Sequence, residues 1–210
     1  MNIEVTVPDG QSGPWRIETK IVEELDLLSK ARAIVHGYGR YVPAGTYKVL
    51  YRDREVIMSN TPDEIRDFMY FIHKAKGRVL VNGLGLGVVL KALIEKPEVD
   101  FVTVIELSED VIKLVGPTFE NHPKVEIIHA DAYTYQPPKG VRYNAVWHDI
   151  WDEISSKNLE GMSKLHRKYG SKTDYQDSWA KDLCQKMRRE ERKWQKCTNF
   201  FSSNPFDSLK

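Results

Sequence analysis

Nine consecutive residues constrain this chain more than any others: Val79-Leu80-Val81-Asn82-Gly83-Leu84-Gly85-Leu86-Gly87. An apolar run of strand character leads into three alternating glycines, and helical apolar spacing resumes from Val88 to about Glu95. Glycine is needed where the backbone turns sharply and where a ligand lies against it with no Cβ in the way. The helix that follows offers free N–H groups and the positive end of its dipole to a polar or anionic group. Taken alone, such a turn also serves as plain tight packing.

The residues around it repeat the pattern. Phe101-Val102-Thr103-Val104-Ile105, Val125-Glu126-Ile127-Ile128 and Ala145-Val146-Trp147 are further short apolar runs separated by helical spacing. Strand and helix alternating in steps of roughly twenty residues imply parallel strands with right-handed crossovers. The expected fold class is therefore α/β, a Rossmann-like three-layer α/β/α arrangement around a mostly parallel sheet. Ahead of the first strand, Thr61-Pro62-Asp63-Glu64 reads as a capping box opening a helix with Ile65, Phe68, Met69 and Ile72 on one face, closed by Gly77.

Three regions follow. Residues 1–60 form an α+β extension: a strand over Ile3 to Val7, a helix over 21–36 ending before Gly37, and a hairpin over 47–58 turning at Arg52-Asp53-Arg54. Residues 61–152 form the α/β core that carries the glycine turn. Residues 153–210 form a helical cap and tail, with helices over 155–169 and 174–195, and Phe200 and Phe201 as candidate docking residues. The core is expected to be truncated at its C-terminal edge, with about five main strands, because no further strand pattern follows Asp152.

Composition excludes several function classes. A formal net charge of +1 creates no whole-molecule field for nucleic acid or membrane. The basic run from Lys186 to Lys196 reads as a solvated helix face, since no nucleic-acid motif accompanies it. Two cysteines, Cys184 and Cys197, cannot build a disulfide framework or a zinc cage. No bound metal is expected, and no leader or membrane span is read in the sequence. The expected setting is cytoplasmic; homo-oligomerisation is left open.

Glu106 ends the second core strand, nineteen residues after Gly87. A carboxylate there can accept from both hydroxyls of a ribose; its plain alternative is an acid beside the helix start Ser108-Glu109-Asp110. A dinucleotide fingerprint would place a third glycine where Val88 stands. The G-x-G-x-G spacing instead resembles class I S-adenosylmethionine-dependent methyltransferases, over residues 77–152. The resemblance implies that Asn82, Gly83, Leu84, Gly85, Gly87, Glu106, Leu107, Asp131 and Ala132 bind the cofactor, Asp131 taking the adenine amino group. Val81 departs from the family, which often has an acid there for the methionine amine.

Tyr143-Asn144-Ala145-Val146-Trp147-His148-Asp149-Ile150-Trp151-Asp152 resembles the fourth motif of spermidine-synthase-like proteins, a pattern ending in D-x-x-D-P, and residues 78–152 look like small uncharacterised bacterial and phage proteins of that branch. Asp149 and Asp152 fall on the two acids. Leu86, Asn144 and Glu153 depart from the aminopropyltransferases. The implied catalytic residues are His148, Asp149 and Asp152, with His148 or Asp149 as base toward an attacking amine or hydroxyl. Three functions stay open: methyl transfer from S-adenosylmethionine to a small or polar acceptor, aminopropyl transfer from decarboxylated S-adenosylmethionine, and nucleoside binding without catalysis. Residues 165–170 and 174–179, with Tyr169 and Trp179, either close over the acceptor or form a plain helical cap.

Overall fold

The computed structural model describes residues 3–26, 28–30 and 42–202, with side chains to residue 196. Its main element is a five-stranded, wholly parallel sheet of order β7-β6-β5-β8-β9. These strands are β5 (Gly77–Asn82), β6 (Val99–Glu106), β7 (Val125–His129), β8 (Tyr143–His148) and β9 (Thr173–Ser178). The order reverses between β5 and β8, so the connections that leave their carboxyl ends run to opposite faces of the sheet. Open α/β sheets place ligands at that reversal.

Side-chain alternation loads both faces. In β5, Val79 and Val81 point into one apolar cluster and Leu80 into the other. The first face is covered by α1 (Pro62–Lys74), α2 (Val88–Ile94) and α3 (Glu109–Val115). The second is covered by α4 (Asn158–Tyr169), which buries Leu165 and Tyr169 against it. A final helix, α5 (Lys181–Ser202), packs on α4 through the buried Cys184. The fold is thus Rossmann-like α/β in three layers.

Local chemistry explains the helix ends. Pro62 occupies the first turn of α1, with Asp63 and Glu64 at its positive end and His73 and Lys74 at its negative end. The capping box does not form: the Thr61 side chain caps nothing, and Glu64 instead accepts from Ser59 N and Ser59 Oγ at 2.7 and 2.8 Å. Nor does Gly77 close this helix. It opens β5 at φ 61°, while Lys96 Nζ satisfies the terminal carbonyls of Ile72 and Ala75. In α3 the Ser108 hydroxyl caps Val111 N.

A second, antiparallel sheet comprises β1 (Gly10–Ser12), β2 (Trp15–Val22), β3 (Gly45–Arg52) and β4 (Glu55–Ser59). The β3–β4 hairpin forms where expected, and Asp53, at φ 54°, takes the left-handed backbone that a glycine commonly supplies. Ile17 and Leu50 bury into the same cluster as Val79 and Val81. Three expectations change here. Ile3, Val5 and Val7 are buried in alternation but pair with no strand. Ile21 and Val22 end β2 rather than start a helix, residues 28–30 are helical as expected, and 27 and 31–36 lie outside the described residues. Residues 174–178 are the fifth parallel strand, not helix, because Tyr175 and Trp179 pack into the core of the sheet while β9 pairs with β8. The side chains of Phe200 and Phe201 lie outside the described residues. Among those described, no helix is long and apolar enough to cross a membrane.

Candidate functional site

At the carboxyl ends of β5, β6 and β8 lies a cavity of about 390 Å³, within the range of sites for small ligands. The glycine turn forms its floor. Gly83 holds φ 99°, and a Cβ there would stand 1.8 Å from the Asp149 carbonyl oxygen, so β5 and the end of β8 can meet only over glycine. Gly85 supports Met58, whose Sδ accepts from Leu86 N at 3.3 Å and brings the antiparallel sheet over the turn. Trp15 and Arg52 extend that roof. Arg52 reaches Asp152 at 2.7 Å, joining the roof to the loop after β8. Ser12 ties β1 to Asp110 at the start of α3, at 2.6 Å.

Glu106 is firmly oriented on the wall by two backbone groups. Its Oε2 accepts from Leu84 N at 2.7 Å and its Oε1 from Ser108 N at 2.8 Å. Each carboxylate oxygen keeps a further acceptor position, and the group cannot swing away without abandoning both backbone N–H donors. Asp131 is set in a similar way: its Oδ1 accepts from Tyr133 N at 2.7 Å. Lys168, from α4 on the far face, pins the next carbonyls, Ala132 O and Tyr133 O, both at 2.9 Å.

Of the expected cofactor contacts, Gly83, Leu84, Gly85, Glu106, Leu107, Asp131 and Ala132 all line this one cavity. Asn82 and Gly87 do not. Asn82 points to the opposite face of the sheet, and Gly87 packs against Phe119 as it starts α2. Asp149 and Asp152 line the cavity, and His148 does not. In β8, Trp147 and His148 alternate, so placing Trp147 on the cavity side sends His148 through the sheet.

His148 is fully buried between Asn82 Nδ2, 2.8 Å from Nδ1, and Gln176 Oε1, 3.2 Å from Nε2. Those partners fix the tautomer with the proton on Nε2. Burial, aided by the nearby His166, pushes its pKa down to about 3. The expectation that His148 acts as a base is therefore withdrawn: it is sealed from the cavity and holds no exchangeable role there. Tyr169, for which the sequence leaves closure over the acceptor and a plain cap both open, lies tilted beside His148 at 5.6 Å and is equally buried. Segment 165–170 thus closes nothing over the site, whereas Trp179 does line the cavity.

Asp149 is the contrasting group. Enclosure raises its carboxyl to about 7, against a smaller opposing pull from Trp147, and Glu64, Asp67 and Glu106 add repulsion. Trp147 Nε1 is buried and completes no hydrogen bond of normal geometry. The Trp147 ring packs on Phe71 at 4.8 Å and edge-on to Phe68 at 6.2 Å, so it is a core residue with one edge at the cavity. Sequence reasoning missed Trp15, Met58 and Glu64 as wall residues. No local signal marks them, because the sheet's docking over the turn brings Trp15 and Met58 there. His129 behaves as a strand-end histidine, with Nε2 2.9 Å from Leu107 O.

No protein-family model and no curated protein matches the chain. Among solved structures it is similar to a spermidine synthase from Thermotoga maritima, at 18% identity and a TM-score of 0.45, over 75% of this chain and 52% of that one. It is also similar to the 23S rRNA methyltransferase ErmE, at 19% identity and a TM-score of 0.42, over 53% and 42% of the two chains. A third is DhpI in its SAH complex, at 20% identity and 0.39, over 51% and 50%. The chain spans about half the length of these structures.

Proposed function

We propose that the protein binds S-adenosylmethionine and transfers its methyl group to a small polar acceptor. The observation that carries this is Glu106, held by two backbone N–H groups at the end of β6, directly over the glycine turn and inside a nucleoside-sized cavity. Its position suits a ribose, and Asp131 with the Ala132 backbone suits an adenine edge. Leu86 is fully buried, so its side chain supplies no polar contact to the cofactor. The Val81 side chain likewise supplies no acid for the amine.

When bound, the cofactor supplies an electrophilic methyl group on a sulfonium. The rest falls to this chain. Asp149, with a carboxyl near neutrality, is half-ionised at pH 7 and suited to accept a proton from an attacking amine or hydroxyl. Trp15, Trp151 and Trp179 line the same space. Asp152 is engaged by Arg52 and orients the loop rather than the acceptor.

Aminopropyl transfer is the second reading, and one observation favours it. Arg52, which Asp152 already engages, is the one cation on the cavity wall among the described residues, so nothing unengaged awaits a methionine carboxylate. Calorimetric titration of wild type and Glu106→Ala separates the readings. S-adenosylmethionine and S-adenosylhomocysteine are expected to bind wild type, at least tenfold more weakly after the substitution. A marked preference for decarboxylated S-adenosylmethionine would favour aminopropyl transfer. Binding of none of them, or of NAD alone, would overturn both.

A further inference from the structure

The cavity wall is charged unevenly. Glu64, Glu106, Asp131, Asp149 and Asp152 line it, against Arg52 alone among the described residues. Arg52 and Asp152 neutralise one another at 2.7 Å. Glu106 and Asp131 take backbone N–H partners, which are dipoles and leave a net negative charge in place. Of the five tryptophans, Trp15, Trp147, Trp151 and Trp179 line this same cavity, Trp147 by an edge and Trp15 with the Arg52 guanidinium already over its ring at 5.6 Å. Trp151 and Trp179 are the indoles left on that wall to attract a cation, which an indole does electrostatically through its ring face. Acidic groups and indoles converging on one enclosed space favour a positively charged occupant over a neutral one of the same shape.

Building on the methyltransferase reading, we propose that this cavity sorts its cofactor by charge, retaining the sulfonium form and releasing the neutral thioether, with Asp149 as the discriminating carboxylate. The sorting is coupled to the chemistry itself. The acceptor forms a bond to the methyl carbon, the carbon–sulfur bond breaks, and its electron pair stays on sulfur. Asp149 takes the proton that the acceptor loses. Sulfur loses its positive charge and Asp149 its negative charge in the same event, so the attraction between them ends from both sides. Product release is then driven by the transfer rather than opposed by it.

Titration calorimetry at pH 8 tests this, with S-adenosylmethionine, S-adenosylhomocysteine and sinefungin, whose ammonium stands where the transferable methyl group does, one bond from the sulfur position. Both cationic ligands are expected to bind about tenfold more tightly than S-adenosylhomocysteine, ~1.4 kcal/mol. Asp149→Asn should bring all three within about twofold by weakening only the cationic pair. An unchanged affinity for S-adenosylhomocysteine in that variant shows that the cavity is still folded. Equal or tighter binding of S-adenosylhomocysteine to wild type would overturn the proposal, as would a tenfold preference that survives Asp149→Asn. In either case measurable binding leaves the methyltransferase reading standing; binding of none of the three removes both.

Discussion

His148 and Asp149 are adjacent in sequence and live on opposite sides of the sheet. His148 faces α4, enclosed by Asn82, Gln176, His166 and Tyr169, with both ring nitrogens partnered inside the protein. Asp149 faces the cavity, under the Trp147 indole and within reach of three further carboxylates. Burial perturbs both groups and drives each toward its neutral form, down for the imidazole and up for the carboxyl. The difference is access. A titratable group sealed by protein partners is structural, and the same degree of perturbation beside open volume makes a group available for proton transfer.

The largest expected break of this contrast comes on the sealed side. His148→Leu strands Asn82 Nδ2 and Gln176 Oε1 in the interior and should cost about 2–4 kcal/mol in urea denaturation. Among the molecules that remain folded, ligand affinity should change less than twofold; a selective loss of affinity would return His148 to the site. On the open side, Glu106→Gln keeps one backbone donor on the amide oxygen and turns the other, Leu84 N or Ser108 N, toward an NH2 that cannot accept. It should lower nucleoside affinity about tenfold by calorimetry, with a smaller effect on stability.

The pH dependences sharpen the comparison because their signs oppose. Asp149 has a raised pKa, so its contribution to stability is fully present below about pH 4 and is lost as pH rises toward 7. Asp149→Asn should therefore stabilise the ligand-free protein at pH 8, by about 1–2 kcal/mol after allowing for access through the cavity, and not at pH 4. His148 has a lowered pKa, so its contribution is full above about pH 6.5 and is lost as pH falls toward 3. Thermal melts of wild type and both variants across pH 3–8 check both signs. The smallest effect belongs to the mouth: Asp152→Asn breaks a half-exposed ion pair with Arg52 and should shift stability by less than ~1 kcal/mol.

The parallel core was legible because β5, β6 and β8 are largely buried on both faces and therefore read as nearly continuous apolar runs between glycine and helix signals. Strand β9 was not. Thr173-Asp174-Tyr175-Gln176-Asp177-Ser178 lies at the edge and spends its side chains on partners such as Arg142, His148 and Lys181, so its composition imitates a polar helix. The cavity wall was legible where one turn and one strand end supply it, as with Gly83 and Glu106. It was hidden where a distant sheet docks, as with Met58 and Trp15. Placing His148 in the site was the characteristic error of reading a motif without strand parity: two neighbouring polar residues at a strand end cannot both face one cavity.

Parity also separates two kinds of genetic change in β8. Substitutions there alter one side chain and leave its neighbours facing as before. Loss or gain of a single codon among residues 143–147 would instead exchange the two faces, aiming the imidazole at the cavity and burying an indole among Asn82 and Gln176. The lineage of this protein should therefore tolerate exchanges in that strand far more readily than changes in its length.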